Sequence, residues 1–197
     1  MTENGFWVFG YGSLIWNPGF PHSRRHIARL EGLARSFCMR SIHHRGTSDA
    51  PGLVLALDSA PAASCHGVAF FVEPEHAETA LAGLRERELI SSAYVEQWHD
   101  LALDNGSTVR ALCYVIDRDH VQYCGGLPLE EQARIIARAH GDKGPNSAYL
   151  FNTARHLRKL GIEDAGLNWL EQRVATLLGQ AGAAPSAAAA SRPVTSS

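Results

Sequence analysis

No two of the four cysteines stand at a Cys-x-x-Cys spacing; Cys38, Cys65, Cys113 and Cys124 lie far apart along the chain. That absence removes the usual signature of a zinc knuckle or a disulfide framework, and suits cysteines used as small buried hydrophobes in a reducing compartment. No apolar run is long enough to span a bilayer, and the opening Met-Thr-Glu-Asn-Gly has neither the charged start nor the apolar stretch of a secretory signal. The expectation is a cytoplasmic protein with no membrane association. Basic blocks are missing too: eighteen Lys and Arg against twenty Asp and Glu leave a net charge of −2, which gives no footing for nucleic acid.

Three catalytic signatures are absent. There is no His-Glu-x-x-His among the ten histidines. His22 and His26 share the i, i+4 spacing, but Pro21 and the strand-like residues after them argue against a helix there, and neighbours His43 and His44 would diverge on a strand, so no metal site is expected. Gly-x-Ser-x-Gly, the turn that presents a nucleophilic serine, does not occur. Gly10-x-Gly12 follows a strand-like run and Glu31 lies at a suitable distance for a ribose contact. However, Ile15 stands where a third glycine is needed and Pro18 stops the helix, so no dinucleotide cofactor is expected. No internal repeat is present.

What is there begins with Phe6-Trp7-Val8-Phe9, a dense apolar and aromatic run that reads as a buried strand. Gly10-Tyr11-Gly12-Ser13-Leu14-Ile15 follows. A strand running into such a turn exposes successive backbone N–H groups, a nest for a carboxylate or a developing oxyanion. The alternative is a glycine turn that only ends the strand.

Asn17 to Arg25 reads as a turn-rich connection, Ala28 to Met39 as a strand or two, and Ser41 to Thr47 as a loop. The runs Leu53–Leu57 and Gly67–Val72 read as two separate buried strands. Pro74 opens a helix whose first turn carries Glu73, Glu75 and Glu78, with Ala77, Ala80, Leu81 and Leu84 on one stripe. The next position on that stripe is Glu88, whereas Glu86 lies about 200° around from Leu84, on the wet side. An inward glutamate serves either a salt bridge to Arg85, Arg87 or an arginine elsewhere, or proton transfer from a desolvated pocket that raises its pKa.

Asn105-Gly106 between the strand-like runs Tyr94–Leu103 and Thr108–Ile116 signals a hairpin. Helices are expected over Pro128–His140, with Leu129, Ala133, Ile136, Ala137 and His140 on one face, and over Ser147–Leu160, ending at Gly161. A third is capped by Asp164 and turns Leu167, Leu170, Val174, Leu177 and Leu178 inward. Gly144-Pro145-Asn146-Ser147 reads as a loop into a helix cap. Strands before helices mean an α+β fold. A single domain over residues 1–179 and a disordered Ala/Ser/Pro tail over 180–197 are expected.

The combination resembles the ChaC family of glutathione-specific γ-glutamylcyclotransferases. The likeness rests on Trp7 through Pro18, Arg35-Ser36-Phe37-Cys38-Met39-Arg40-Ser41, His44-Arg45-Gly46-Thr47, Pro51-Gly52-Leu53-Val54, Arg87-Glu88-Leu89, Tyr149-Leu150-Phe151-Asn152-Thr153 and Leu160-Gly161-Ile162-Glu163-Asp164. It implies a small mixed β-barrel with peripheral α-helices and a pocket at one end. The implied reaction releases 5-oxoproline and cysteinylglycine from glutathione, without cofactor, metal or obligate protein partner. Glu88 would be the general acid and base, and Gly10, Tyr11, Gly12, Ser13, Leu14 and Ile15 would hold the γ-glutamyl group. Tyr11 and Tyr149 would wall the pocket, and Arg40 or Arg45 would meet the glycine carboxylate. Leu84-Arg85-Glu86 before Arg87 departs from the aromatic or polar pair usual in the family. The alternatives are another γ-glutamyl substrate, or a module that binds a small acid without turnover.

Overall fold

The structure is a computed structural model that describes residues 5–183. Five strands close a mixed barrel: β1 (Phe6–Gly10), β2 (Arg24–Ser41), β3 (Gly52–Val72), β4 (Tyr94–Leu103) and β5 (Thr108–Ile116), in the order β1-β3-β2-β4-β5. Neighbours run antiparallel except where the ring closes, since β1 lies parallel to β5 with Trp7 opposite Ala111 and Val8 opposite Leu112. The alternation of side chains along each strand sorts the apolar residues into two sets. Phe9, Leu30, Leu57, Leu101 and Cys113 fill the barrel. Val8, Phe70, Val72 and Leu112 face outward, where helix α1 (Pro74–Glu88) covers them with Ala77, Ala80 and Leu84.

The spine is the antiparallel ribbon of β2 and β3. The two apolar runs expected as separate strands are one strand, because the polar middle continues the pairing through Asp58 and Ser59 and resumes it at Ser64. Residues 60–63 have no partner in β2, and Pro61 falls in that bulge, where its missing N–H costs no ladder bond. Gly32 opposite them takes φ +78°, a conformation that glycine adopts without a side-chain clash. A second irregularity sets Phe37 and Cys38 against Leu55 alone.

Three further helices pack on the β3 side: α2 (Leu129–Arg138), α3 (Asn146–Lys159) and α4 (Ala165–Ala183). α2 ends two residues earlier than the periodicity suggests. His140 is exposed, in a two-residue strand β6 (His140–Gly141) paired with β7 (Gly144–Pro145), and Leu129 is 40% exposed while Gln132 is buried. Gln132 is acceptable there because its side-chain amide donates to the Leu127 carbonyl at 2.7 Å. Asp164 caps α4 as expected, accepting from the Leu167 N–H at 2.9 Å. Leu167, Leu170 and Val174 are buried, but Leu178 is 38% exposed. α4 runs past Gly179 to Ala183, and the rest of the expected tail lies outside the described residues.

Candidate active site

β1 delivers the chain to Gly10, and a single 3₁₀ turn at Ser13–Ile15 follows immediately. The Ile15 N–H donates to the Gly12 carbonyl at 3.1 Å, and those of Trp16 and Asn17 both donate to the Ser13 carbonyl. Among the described residues, the N–H groups of Gly12, Ser13 and Leu14 have no protein acceptor. They belong to the start of the turn, where no preceding carbonyl is in register to receive them. Gly12 has a steric reason to be glycine: a Cβ there would stand 3.0 Å from the Tyr149 hydroxyl.

These residues line a cavity of about 310 Å³ at one end of the barrel. Of the residues expected from sequence, the cavity gathers Tyr11, Gly12, Ser13, Leu14, Arg45, Glu88 and Tyr149. Three are not in its wall. Gly10 is still within the ladder, opposite Val68, and Ile15 packs between two apolar clusters. Arg40 sits on β2 between Met39 and Ser41, which do line the cavity, so strand alternation turns it to the other face.

Glu88 closes α1 and carries its carboxylate to the cavity with only 16% of the side chain exposed. Burial raises its pKa above the ordinary carboxylate range, and the charges of Arg87 and Lys143 bring it only part of the way back. Glu86, two residues earlier, is exposed. The structure thus has both the ion pair of one reading and the desolvated setting of the other. Arg87 Nε lies 3.1 Å from Glu88 Oε1, and the same guanidinium donates to Ser13 Oγ at 2.7 Å and to the Asn17 carbonyl at 2.6 Å. Arg87 thus bolts the end of α1 to the 3₁₀ turn.

The back wall is a group of tyrosines around the irregularity at Leu55. Freed from the β2 ladder, the Leu55 carbonyl accepts the Tyr94 hydroxyl at 2.9 Å, and its N–H donates to the Tyr149 hydroxyl at 3.4 Å. The Tyr11 hydroxyl donates to the Tyr114 carbonyl at 2.8 Å. Burial raises the pKa of Tyr11, Tyr94 and Tyr149, so all three remain neutral at physiological pH.

Two residues with a part in this architecture escaped the sequence reading. Asn146 does not cap α3. Its fully buried amide accepts from the Leu53 N–H and donates to the Leu53 carbonyl, each at 2.7 Å, standing in for a strand neighbour. Lys143 reaches the cavity mouth from the turn between β6 and β7. The sequence signal for either is weak: neither a polar residue in a Gly-Pro-Asn loop nor an isolated lysine is distinctive without its three-dimensional neighbours. No group of three or more His, Cys, Asp or Glu is placed to hold a metal ion among the described residues.

A family profile described as ChaC-like protein matches residues 6–177. The chain belongs to the ChaC family. Among relatives, the glutathione-specific γ-glutamylcyclotransferase of Escherichia coli is 39% identical over 178 residues, covering 90% of this chain and 76% of that protein. Human glutathione-specific γ-glutamylcyclotransferase 1 is 32% identical, covering 87% and 79%. The crystal structure of the yeast γ-glutamylcyclotransferase specific to glutathione superposes with a TM-score of 0.81 at 26% identity, covering 88% of this chain and 96% of that one. The closed barrel with four helices is therefore a ChaC architecture, as the sequence resemblance implied.

Proposed function

We propose that the chain cleaves glutathione by intramolecular cyclisation, releasing 5-oxoproline and cysteinylglycine, with Glu88 as the proton carrier. The observation that supports this most directly is the meeting, in one cavity, of a carboxylate of raised pKa and a turn with unclaimed N–H groups. The substrate's α-amine is an ammonium at neutral pH and cannot attack. Glu88 removes one proton from it; the freed nitrogen lone pair forms a bond to the γ-carbon, and the carbonyl electron pair moves onto oxygen. The N–H groups of Gly12, Ser13 and Leu14 offer donors to that oxyanion or to the glutamyl α-carboxylate. Collapse then breaks the bond to the cysteinyl nitrogen, which takes the proton that Glu88 holds; the ring nitrogen gives its second proton to the freed carboxylate, which passes it to the released amine, so that cysteinylglycine leaves as an ammonium and 5-oxoproline as a neutral lactam. The nucleophile is the substrate's own, so the scheme uses no enzyme nucleophile and no cofactor; the cavity contributes by folding the γ-glutamyl arm back on itself.

The γ-glutamylcyclotransferases among the relatives support this reading, as does the low exposure of Glu88. Four free cysteines, three of them buried, are consistent with a reducing, cytoplasmic setting. Among the described residues no helix is long and apolar enough to cross a membrane. The test is release of 5-oxoproline from glutathione by the purified chain. Glu88→Gln should lower turnover by about 10²–10⁴-fold with the fold kept, while Glu86→Gln should leave it near normal. Near-normal turnover by Glu88→Gln would refute the assignment, and faster cleavage of γ-glutamylalanine than of glutathione would redirect it to another γ-glutamyl substrate.

A further inference from the structure

Three Lys or Arg side chains among the described residues line the cavity: Arg45, Arg87 and Lys143. Two of them are committed to the protein. Arg87 holds Ser13, Asn17 and Glu88 together. Arg45 donates from Nη1 to the carbonyls of Lys143 at 2.6 Å and Pro145 at 3.2 Å, and its guanidinium lies 5.7 Å from the centre of the Tyr149 ring. Arg45 thus braces the β6–β7 hairpin through Nη1, although its charge is not neutralised. Neither Arg45 nor Lys143 has a carboxylate of the described residues within ion-pair distance, but Lys143 differs in that its ammonium is also held by no protein acceptor among them.

The mount of Lys143 is built with care. Its N–H donates to the His44 carbonyl at 3.0 Å, and the Asp142 N–H donates to the His43 carbonyl at 2.9 Å. The hairpin lies flush on that loop because residue 141 is glycine; a Cβ there would stand 2.4 Å from the His43 carbonyl oxygen. The hairpin therefore fixes the backbone of Lys143 and leaves its tip unpaired at the cavity mouth. Its charge reaches inward as well, since it is one of the two that oppose the rise in the Glu88 pKa.

We propose that Lys143 reads the carboxylate at the far end of the substrate, and so makes the site prefer a γ-glutamyl peptide ending in a charged group over one ending in a neutral group. The inference rests on the reading of the site as a γ-glutamylcyclotransferase. With the γ-glutamyl end held at the Gly12–Leu14 turn and Glu88, the remaining negative charge of glutathione is the glycine carboxylate. Arg40 and Arg45, the cations expected for it from sequence, are respectively outside the cavity wall and engaged by the hairpin. Lys143 supplies a countercharge that no protein acceptor already holds in place. It acts on binding that is equal in ground and transition states, so its effect belongs mainly in KM.

The experiment compares glutathione with the analogue whose glycine carboxylate is a primary amide, following 5-oxoproline release by the full chain. The unaltered protein should favour the acid over the amide by about five- to tenfold in kcat/KM, the modest size expected of an exposed charge contact. Lys143→Met should bring that ratio close to one through a higher KM for glutathione, and Lys143→Arg should keep most of it. A ratio that survives in Lys143→Met, or an unaltered protein indifferent to the amide, overturns the inference while leaving the cyclotransferase reading in place. Failure of the unaltered protein to release 5-oxoproline from either compound overturns that reading and this inference with it.

Discussion

The guanidinium of Arg87 donates to Ser13 Oγ at 2.7 Å across 74 residues of chain. It joins the two halves of the candidate site, since Ser13 belongs to the turn with unclaimed N–H groups and Arg87 precedes Glu88, the proposed proton carrier. The bond makes Arg87 a positioning residue. Arg87→Lys keeps a charge but loses the planar fork that reaches Ser13, Asn17 and Glu88 at once. It should lower kcat/KM by about ten- to hundredfold, as small displacements of reacting groups do. Ser13→Ala should cost less alone and little more when added to Arg87→Lys. Steady-state kinetics on the four proteins reads that coupling, and full additivity would show that the contact is incidental.

The pH dependence follows from the burial of Glu88. Its pKa lies above the unfolded carboxylate value, so the proposed base becomes protonated at a higher pH than an exposed glutamate would. The acidic limb of the kcat/KM profile should accordingly fall above pH 4.5, with activity lost as pH drops through it. The sign for stability is the reverse. A folded pKa raised above the unfolded one gives stability that is complete below the unfolded value and is lost as pH rises through the folded value. Glu88→Gln removes that loss. Thermal melts should show the variant at least as stable as the parent at pH 7, with the difference shrinking below pH 4.5; a strongly lower Tm at pH 7 would mean that pairing with Arg87 outweighs burial.

Gly12→Ala would drive a methyl to within 3.0 Å of the Tyr149 hydroxyl. We expect a cost of about 1–3 kcal/mol from overpacking, with a larger loss in turnover as the 3₁₀ turn shifts. Tyr149→Phe in the same chain removes the atom that collides and should restore part of the stability. Chemical denaturation of the single and double variants checks this.

Asn146→Ala leaves both polar groups of Leu53 without their partner in a fully buried place. Each orphaned group costs about 1–3 kcal/mol, so the variant should be among the most damaging single changes in the chain. Asn146→Asp should also destabilise strongly, because a carboxylate cannot donate to the Leu53 carbonyl. A denaturation midpoint close to the parent's in either variant would contradict this account.

Elements set by local pattern were legible in the sequence. The stripe that ends at Glu88, the hairpin across Asn105-Gly106 and the Asp164 cap all depend on neighbours a few residues apart, and the structure has them. β3 was read as two strands because Asp58 to His66 carries polar residues and a proline, and only the register with β2 shows that Pro61 falls in a bulge. The cations could not be told apart for the same reason. Arg40, Arg45 and Lys143 are chemically alike in sequence, and what separates them is strand parity for the first and a bond to a carbonyl 98 residues away for the second. Asn146 acts as part of a sheet, which the helix-start signals around it conceal.

The barrel closes where β1 lies alongside β5, with Tyr11 reaching the Tyr114 carbonyl 103 residues later. During synthesis, the first strand must therefore wait for the hairpin that follows α1 before its second edge is covered. Such distant pairing is slow to form and is a late event in folding. A ribosome-bound fragment ending before Thr108 would contain Glu88 and the Gly12 turn yet lack the staves that hold them in register. Competence to turn over a metabolite would then arrive only once the ring is sealed, so truncated translation products should be catalytically silent.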